Sequence, residues 1–461
     1  MDVTSTRKMV VGGAGTQVVA HAGLHALGRF ADKIGVGETL SPAFAWTGER
    51  APAHDRGKVL THVMLMLTGG GESCADIEQL RIQDQLFGNV CSDSTVHRSF
   101  HQITPTVLAD LTARFATVRN RMWAQLPAIA GDSMIVLDID ASLVQVHSER
   151  KEETAANYKG GFGFHPLLCF ADATGDTLAA LLRPGNAGSN TVTDHLTVLD
   201  DAVAQLPAAI SAGHHASDDP TFVARRVQVR TDSAGCTDGF INGCRARNIG
   251  FAVVARTNTR IQSAIQKIQT FGTTSNEHWQ PALRAKGDMA ERSHVAEITN
   301  LVDLSDMPSG TRLIVRRERL HPGAQRSLFP CALYRYWGHY TDNSDLTPVE
   351  ADAHMRAHAH VEDHIKRLKE SGLERFPFTK IGANRAWLQT VCMAADVVRW
   401  FQLLCCHGPL VNAQPKRMRW TFWHAPARVI RQARQHVIRI IDGWPTTSDI
   451  IGAHQRLTLL C

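Results

Sequence analysis

No stretch of this chain is long and apolar enough to cross a bilayer. The most apolar region, Val391 to Leu404, is broken by Asp396 and Arg399 and reads as a core helix with a polar edge. Met1 to Met9 is polar with no long apolar segment behind it, which predicts no secretory signal. The ten cysteines form no C-x-x-C pair and no zinc-ribbon spacing, and Cys405 and Cys406 are neighbours in an apolar, helix-like stretch. Reduced, mostly buried thiols in a cytoplasmic protein are the expectation. No Walker A lysine motif follows a strand, and Gly12-Gly13-Ala14-Gly15 does not satisfy the dinucleotide fingerprint, so nothing indicates nucleotide-driven chemistry. Acids are missing from Lys416 to Arg439, where seven Lys and Arg residues stand.

What is present is a chain of 461 residues with 44% hydrophobic content, enough for two to three domains with real cores. A net charge of +5 permits polyanion binding without proving it. The organising stretch is Ser133-Met134-Ile135-Val136-Leu137-Asp138-Ile139-Asp140-Ala141-Ser142. Its apolar run from Met134 to Leu137 predicts a strand buried on both faces. Asp138 and Asp140, two residues apart, share one face about 7 Å from each other at the strand's end. Unpaired buried carboxylates are costly, so a pair placed there calls for a cation, unless one of them caps a turn or pairs with an Arg.

A second apolar strand, Val227 to Thr231, ends in Asp232-Ser233-Ala234-Gly235. A third acid, Glu362, lies in a helical stretch from His354 to Ser371, beside an apolar face of Val361, Ile365 and Leu368. Lys369, seven residues on, stands about 10 Å along the same stripe, too far to share a metal but suited to a nearby phosphate. Two strand-end Asp and one helix Glu are the ligand set of a two-metal phosphoryl-transfer site.

The chain resembles the DDE transposases of bacterial insertion sequences. In the branch that includes insertion-sequence four, the third-acid helix carries Tyr, two residues, Arg, three residues, Glu, six residues, Lys. The corresponding positions here are Met355, His358, Glu362 and Lys369, so the Glu and Lys match and the Tyr and Arg do not. The likeness to the insertion-sequence thirteen-eighty family is closer. It rests on Leu137 to Ser142, on Tyr158-Lys159-Gly160-Gly161-Phe162-Gly163-Phe164-His165-Pro166-Leu167-Leu168, on Leu182-Arg183-Pro184-Gly185-Asn186, and on Arg230 to Gly235. It runs from about Asp93 to about Trp400. The resemblance implies that Asp140, rather than Asp138, is the first catalytic acid, with Asp232 and Glu362 completing the set. It also implies Mg²⁺, with Mn²⁺ able to substitute, and as partners the double-stranded DNA of terminal inverted repeats and target. A homodimer in the synaptic complex and a nucleoid-associated cytoplasmic location follow from the same likeness.

The element order predicts an α/β protein with an RNase H-like catalytic core. Strands over 134–146, His165 to Phe170 and Thr177 to Leu182 form an antiparallel meander; a helix with Leu196, Leu199, Val203 and Leu206 precedes the Asp232 strand. A helix near Phe240 to Arg247 and the strand Gly250 to Ala255 close the pattern. Five regions are expected: helical and DNA-binding or dimerising over 1–130, the first part of the core over 131–256, a β-rich insertion over 257–350, the third-acid helix and its successor over 351–412, and a basic tail over 413–461.

Within the first region, Gly57 to Leu67 reads as a helix stopped by Gly69-Gly70-Gly71, and Cys74 to Phe87 as another. Ser92-Asp93-Ser94-Thr95 caps a third that carries His97 and Arg98 in its first turns. That pattern fits a helix-turn-helix DNA reader and equally an ordinary bundle. Arg183, in a Pro-Gly turn, is a candidate for a DNA phosphate or a plain turn residue. In the insertion, strands at Val295 to Ile298, Arg312 to Arg316 and Leu333 to Trp337 carry Trp337; with Trp279 and the Arg316, Arg317, Arg319 cluster it could hold an unpaired base, or these residues could serve core and surface. Arg428, Arg431 and Arg434 step by three opposite Val429, Ile430, Ala433, Val437 and Ile438, which predicts an amphipathic helix.

Two other functions compete. A zinc hydrolase could use His354, His358, His360 and His364, but His360-x-Glu362-Asp363-His364 fits neither zincin order and leaves the strand-end acids unused. A transposase-derived DNA-binding protein that no longer cuts is the other.

Overall fold

The computed structural model describes residues 18–44, 52–129, 134–217, 225–270, 278–284, 287–321, 323, 334–432 and 435–460. The sequence expectations at Met1 to Met9, Gly12 to Gly15, Gly131, Ser133, Leu333, Ala433 and Arg434 lie outside them.

In chain order the strands are β1 (Val18–Val19), β2 (Ile135–Ala141), β3 (Val144–Gln145), β4 (Ala155–Ala156) and β5 (Phe162–Phe164). There follow β6 (Leu167–Ala171), β7 (Thr177–Leu181), β8 (Val227–Thr231) and β9 (Gly250–Ala255). Then come β10 (Gln280–Leu283), β11 (Met289–Glu297), β12 (Arg312–Arg319), β13 (Tyr334–Thr341), β14 (Ala427–Gln432) and β15 (Gln435–Ile440). Nine of them make one mixed sheet in the order β10-β11-β12-β13-β9-β8-β2-β6-β7. Every residue of β6 and of β8, which flank β2, is buried, as strands covered on both faces require. β2 runs antiparallel to β6 and parallel to β8, and β8 runs parallel to β9. The two parallel steps are bridged by the helices Val192–Ala204 and Asp238–Arg245, which pack against each other and the sheet.

The described residues of the N-terminal region are mostly helical, with one difference from the sequence expectation. Arg56–Thr68 is a helix capped by the Asp55 carboxylate, which accepts from Lys58 N–H at 2.8 Å, and it ends at Gly69. Cys74 to Phe87 is not one helix but three short turns, Cys74–Ile77, Glu78–Arg81 and Asp84–Phe87. Thr104 and Pro105 start the long helix Pro105–Trp123, Thr104 Oγ1 accepting from Val107 N–H. The strand expected over 134–146 breaks after Ala141, where Ser142 N–H turns to the Pro166 carbonyl, and the chain enters a small sheet of β3, β5 and β4.

In the 257–350 region the described residues include β10 to β13, and these strands are not a separate sheet. β13 pairs with β9, so β10 to β13 extend the central sheet from its β9 edge. The expected helix His354 to Ser371 is two helices, Pro348–Arg356 and His360–Leu368, joined by a tight turn at Ala357–Ala359. It ends where Gly372 takes a φ of 113°, a conformation that disfavours a side chain. The amphipathic helix expected around Arg428 and Arg431 is a hairpin instead: β14 pairs with β15, and β1 adds to β14, so the chain's two end regions share a sheet.

Candidate active site

Asp140 and Asp232 are placed by strand pairing. The parallel register of β2 with β8 runs to Ile139 opposite Thr231; Asp140 is the next residue of β2, and Asp232 is the first residue past β8. Adjacent strands lie about 4.8 Å apart, so the two carboxylates leave the sheet as neighbours. Each is anchored by one oxygen: Asp140 Oδ1 accepts from Ala141 N–H at 2.7 Å, and Asp232 Oδ1 from Ala234 N–H at 2.8 Å. The tight turn after Asp232 depends on Gly235, where a Cβ would sit 2.3 Å from Thr231 Cγ2. Burial pushes the Asp140 carboxyl up to about 6; the charges of Asp232 and Glu362 add to this, against the Ala141 N–H and His358.

Glu362 is exposed on the His360–Leu368 helix, whose Val361, Ile365 and Leu368 face the core. That helix is docked on β2 by a polar network that the sequence did not reveal. Arg230, next but one before Asp232, donates through Nε and Nη2 to the two oxygens of Asp138, at 2.8 and 2.6 Å. Its Nη1 donates to the His354 carbonyl at 2.8 Å, and Nη2 lies 3.0 Å from Asp172 Oδ1. His358 Nδ1 donates to Asp138 Oδ1 at 2.8 Å, and His360 Nδ1 to Asp172 Oδ1 at 3.0 Å. Asp138 and Arg230 are 0% and 1% exposed. Burial alone would raise the Asp138 carboxyl, but the hydrogen bonds from His358 and Arg230 hold it below its ordinary value. Asp138 therefore has its cation inside the protein. Asp140 does not: no Lys or Arg among the described residues pairs with it or with Asp232.

The donors fit a divalent cation in kind, being hard oxygens with uncompensated, mutually repelling charge. No group of three or more His, Cys, Asp or Glu among the described residues is gathered as a ligand set. The four histidines of the zinc alternative diverge. His358 and His360 go to different aspartates, His364 lies against the Phe170 ring at 5.4 Å, and burial lowers His354 to about 4.

The expected DNA-contact residues fall in different settings. Lys369 is half-buried at the end of the helix that carries Glu362, and no carboxylate pairs with it among the described residues. His97 and Arg98 are exposed on the helix Asp93–His101, His97 beside the rings of His101 and Phe378, while Val96 and Phe100 anchor the helix. Arg183 is 4% exposed and holds its own turn, donating to the carbonyls of His165 and Gly188 and pairing with Asp194 at 3.1 Å. Its guanidinium faces into the fold, the place of a turn residue. Trp279 is buried under Arg317, whose guanidinium carbon lies 4.4 Å from its ring centre, and Arg316 pairs with the buried Asp352 at 2.8 Å. These side chains serve the interior of the extended sheet, while Trp337 is half-buried and Arg319 exposed.

No helix among the described residues is long and apolar enough to cross a membrane. No curated protein matches the chain. Among solved structures it is similar to one described as the cryo-EM structure of a piggyBac transposase synaptic complex with hairpin DNA, at 11% identity, over 88% of this chain and 80% of that one, with a TM-score of 0.40. A family model described as transposase DDE domain group 1 matches residues 1–461, and with strand-end acids and a helix acid already at one end of the sheet, the chain belongs to that family of DDE transposases.

Proposed function

We propose that this chain is the transposase of a bacterial insertion sequence of the thirteen-eighty type. It binds the element's terminal inverted repeats and catalyses metal-dependent strand cleavage and strand transfer. The observation that carries this reading is the placement of Asp140 and Asp232 side by side at the ends of adjacent parallel strands, where burial and the neighbouring acids raise the Asp140 carboxyl to about 6.

The strand order β7-β6-β2-β8-β9, a meander followed by two parallel steps, supports an RNase H-like core. Asp140, Asp232 and Glu362 would hold Mg²⁺ or Mn²⁺, which at such sites activates the attacking oxygen and stabilises the leaving one. The chain's own residues do the positioning. Ala141 and Ala234 N–H groups fix one oxygen of each aspartate, leaving the other to face the site. Asp138, Arg230 and His358 tie the third-acid segment to β2. Lys369 meets a phosphate near the scissile bond, and His97 and Arg98 lie on a helix that could read flanking DNA. A homodimer on paired ends, acting at the nucleoid, completes the proposal.

Matched inverted repeats in the DNA flanking the gene supply the substrate for the test. With Mg²⁺, the wild type should nick a labelled end. Asp140→Asn, Asp232→Asn and Glu362→Gln should each lower nicking by more than about a hundredfold, since losing even an outer partner of a metal ligand costs about 10- to 100-fold. End binding should survive. Wild-type protein that binds the repeats but never nicks them would instead be a silent, transposase-derived DNA-binding protein. Lys369→Ala should reduce the salt dependence of end binding by about one unit of log–log slope and leave the metal requirement unchanged.

A further inference from the structure

On the helix His360–Leu368 and its continuation, Glu362, Lys366 and Lys369 recur at i, i+4 and i+7 and form one stripe. Glu362 and Lys366 are exposed. The inward-turned cation of the same helix is satisfied within the fold: Arg367 pairs with Asp363 at 2.8 Å and donates to the carbonyls of Ala413 and Asn412. Lys366 and Lys369 have no such partner among the described residues.

Those two carbonyl contacts bring the next segment, Pro415–Met418 and Arg419–Trp423, alongside the stripe. Lys416 N–H donates to Glu370 Oε2 at 3.2 Å, and Arg419 Nη1 to the Glu370 carbonyl at 2.8 Å. Met418, Phe422 and Trp423 are buried and fix this segment to the core. Lys416, Arg417 and Trp420 are left outside, with Trp420 79% exposed although Trp423 is 1% exposed. Lys416 and Arg417 precede Trp420 by four and three residues, so cations and ring share a face. Among the described residues no carboxylate forms an ion pair with the Lys416 or Arg417 side chain, and an exposed tryptophan beside such cations matches a polyanion that also offers apolar edges, which is the surface of DNA.

We propose that Lys366, Lys416 and Arg417 continue the phosphate track begun by Lys369, and that Trp420 packs on the sugar and base edge where the track ends. The inference rests on the reading of Glu362 as the third acid of a DNA-cleaving site. From Glu362 to Lys369 the stripe covers about 10 Å, roughly three phosphate steps at 3.4 Å each. The segment from Lys416 to Trp420 therefore engages duplex several steps from the scissile bond.

The probe is a labelled duplex carrying the matched repeat that flanks the gene, titrated with protein across a salt series in Ca²⁺, and nicked in Mg²⁺ as a control. Lys416→Ala with Arg417→Ala should lower the log–log slope by about two units, and Lys366→Ala by about one. Trp420→Ala should weaken binding about tenfold at every salt concentration with the slope unchanged, and Trp420→Phe should recover most of that loss. Thermal unfolding of each variant should match the wild type, since the changed side chains lie outside the core. Unaltered slopes in the lysine and arginine variants would overturn the track, as would a Trp420→Phe protein no better than Trp420→Ala. If the wild type nicks the duplex while these variants bind like it, only the track fails. If the wild type neither nicks nor prefers the repeat, the transposase-site reading fails and takes the track with it.

Discussion

Asp138 and Asp140 stand two residues apart on one strand and meet opposite electrostatic fates. Asp138 is neutralised by Arg230 and His358, while Asp140 carries a carboxyl raised to about 6 by burial and by two other acids. Spacing made both visible as strand-end carboxylates. It could not say which one had an internal cation, because that cation lies 92 residues away and its direction is set by the β2–β8 register. Nor could it say that Arg183 turns inward. The two aspartates should differ in stability as well as in chemistry. Asp138→Asn leaves a buried guanidinium with only Asp172 to balance it, a loss of about 3 kcal/mol, the low end for a broken buried pair. Asp140→Asn should do the reverse in metal-free protein. A carboxyl with a raised folded pKa costs nothing below its unfolded value and costs progressively more as pH climbs to about 6. The variant should therefore melt with the wild type near about pH 4 and above it near about pH 8 in EDTA. Added Mg²⁺ should then raise the wild-type melting temperature and leave the variant's unchanged. Thermal scans showing Asp140→Asn destabilised at the higher pH would mean that Asp140 already has an internal partner.

Among the elements, most strands of the central sheet were legible, while its edge strand β10 and the basic segment near the C-terminus were not. Residues 427–440 satisfy two periods at once. The arginines step by three as on a helix, yet Val429, Ile430, Val437, Ile438 and Ile440 are β-branched and suit a pleated surface. What decides between them is long-range: β1, from the other end of the chain, pairs with β14 at Val18–Arg428 and Val19–Ala427. The helical stretch around Glu362 shows the same limit more mildly, since its break at Ala357–Ala359 is where His358 turns inward to Asp138. The hairpin sets Arg428 directly opposite Arg439, both exposed. Facing like charges are unfavourable, so Arg439→Glu should stabilise the folded protein by roughly 0.5 kcal/mol. Urea denaturation of the two proteins at low salt checks the sign, and the gain should shrink as salt is added. A helix in this segment would give no such coupling, because residues 428 and 439 would not be neighbours.

At the scale of the whole molecule, the regions that the sequence separates are joined by shared interior. The strands of the presumed insertion extend the central sheet, and the N-terminal helices pack on Ile381–Cys405, which itself packs on β7. One buried cluster links three of these parts. Arg119, from the helix Pro105–Trp123, lies 2.7 Å from Asp396 on Ile381–Cys405 and 3.5 Å from Asp176 before β7, and it donates to the Thr177 carbonyl. Trp123 and Trp400 both donate to Asp176 Oδ2. The polar edge expected at Asp396 is thus 1% exposed, turned into the core where sequence alone has no means of showing its partner. One guanidinium balances only one of two carboxylates. Burial accordingly pushes Asp396 up to about 8, with Asp176 adding to the shift and Arg119 opposing it. Because that folded value lies above the ordinary carboxylate range, folding takes up a proton between about pH 4 and about pH 8, and this site's contribution to stability falls as pH rises through that window. Arg119→Met keeps the length of the side chain but removes the guanidinium that pairs with both aspartates, so it should cost about 3–5 kcal/mol near neutral pH. The cost should be smaller near about pH 5, where Asp396 is protonated, and larger near about pH 8, where it begins to ionise beside Asp176. Urea unfolding of wild type and variant at the two pH values tests this, and a difference independent of pH would show that Arg119 contributes packing rather than charge. Because the cluster ties the N-terminal helices to the sheet, circular dichroism and tryptophan fluorescence should report the same lowered midpoint; two separate transitions would mean that the N-terminal helices fold independently of the sheet.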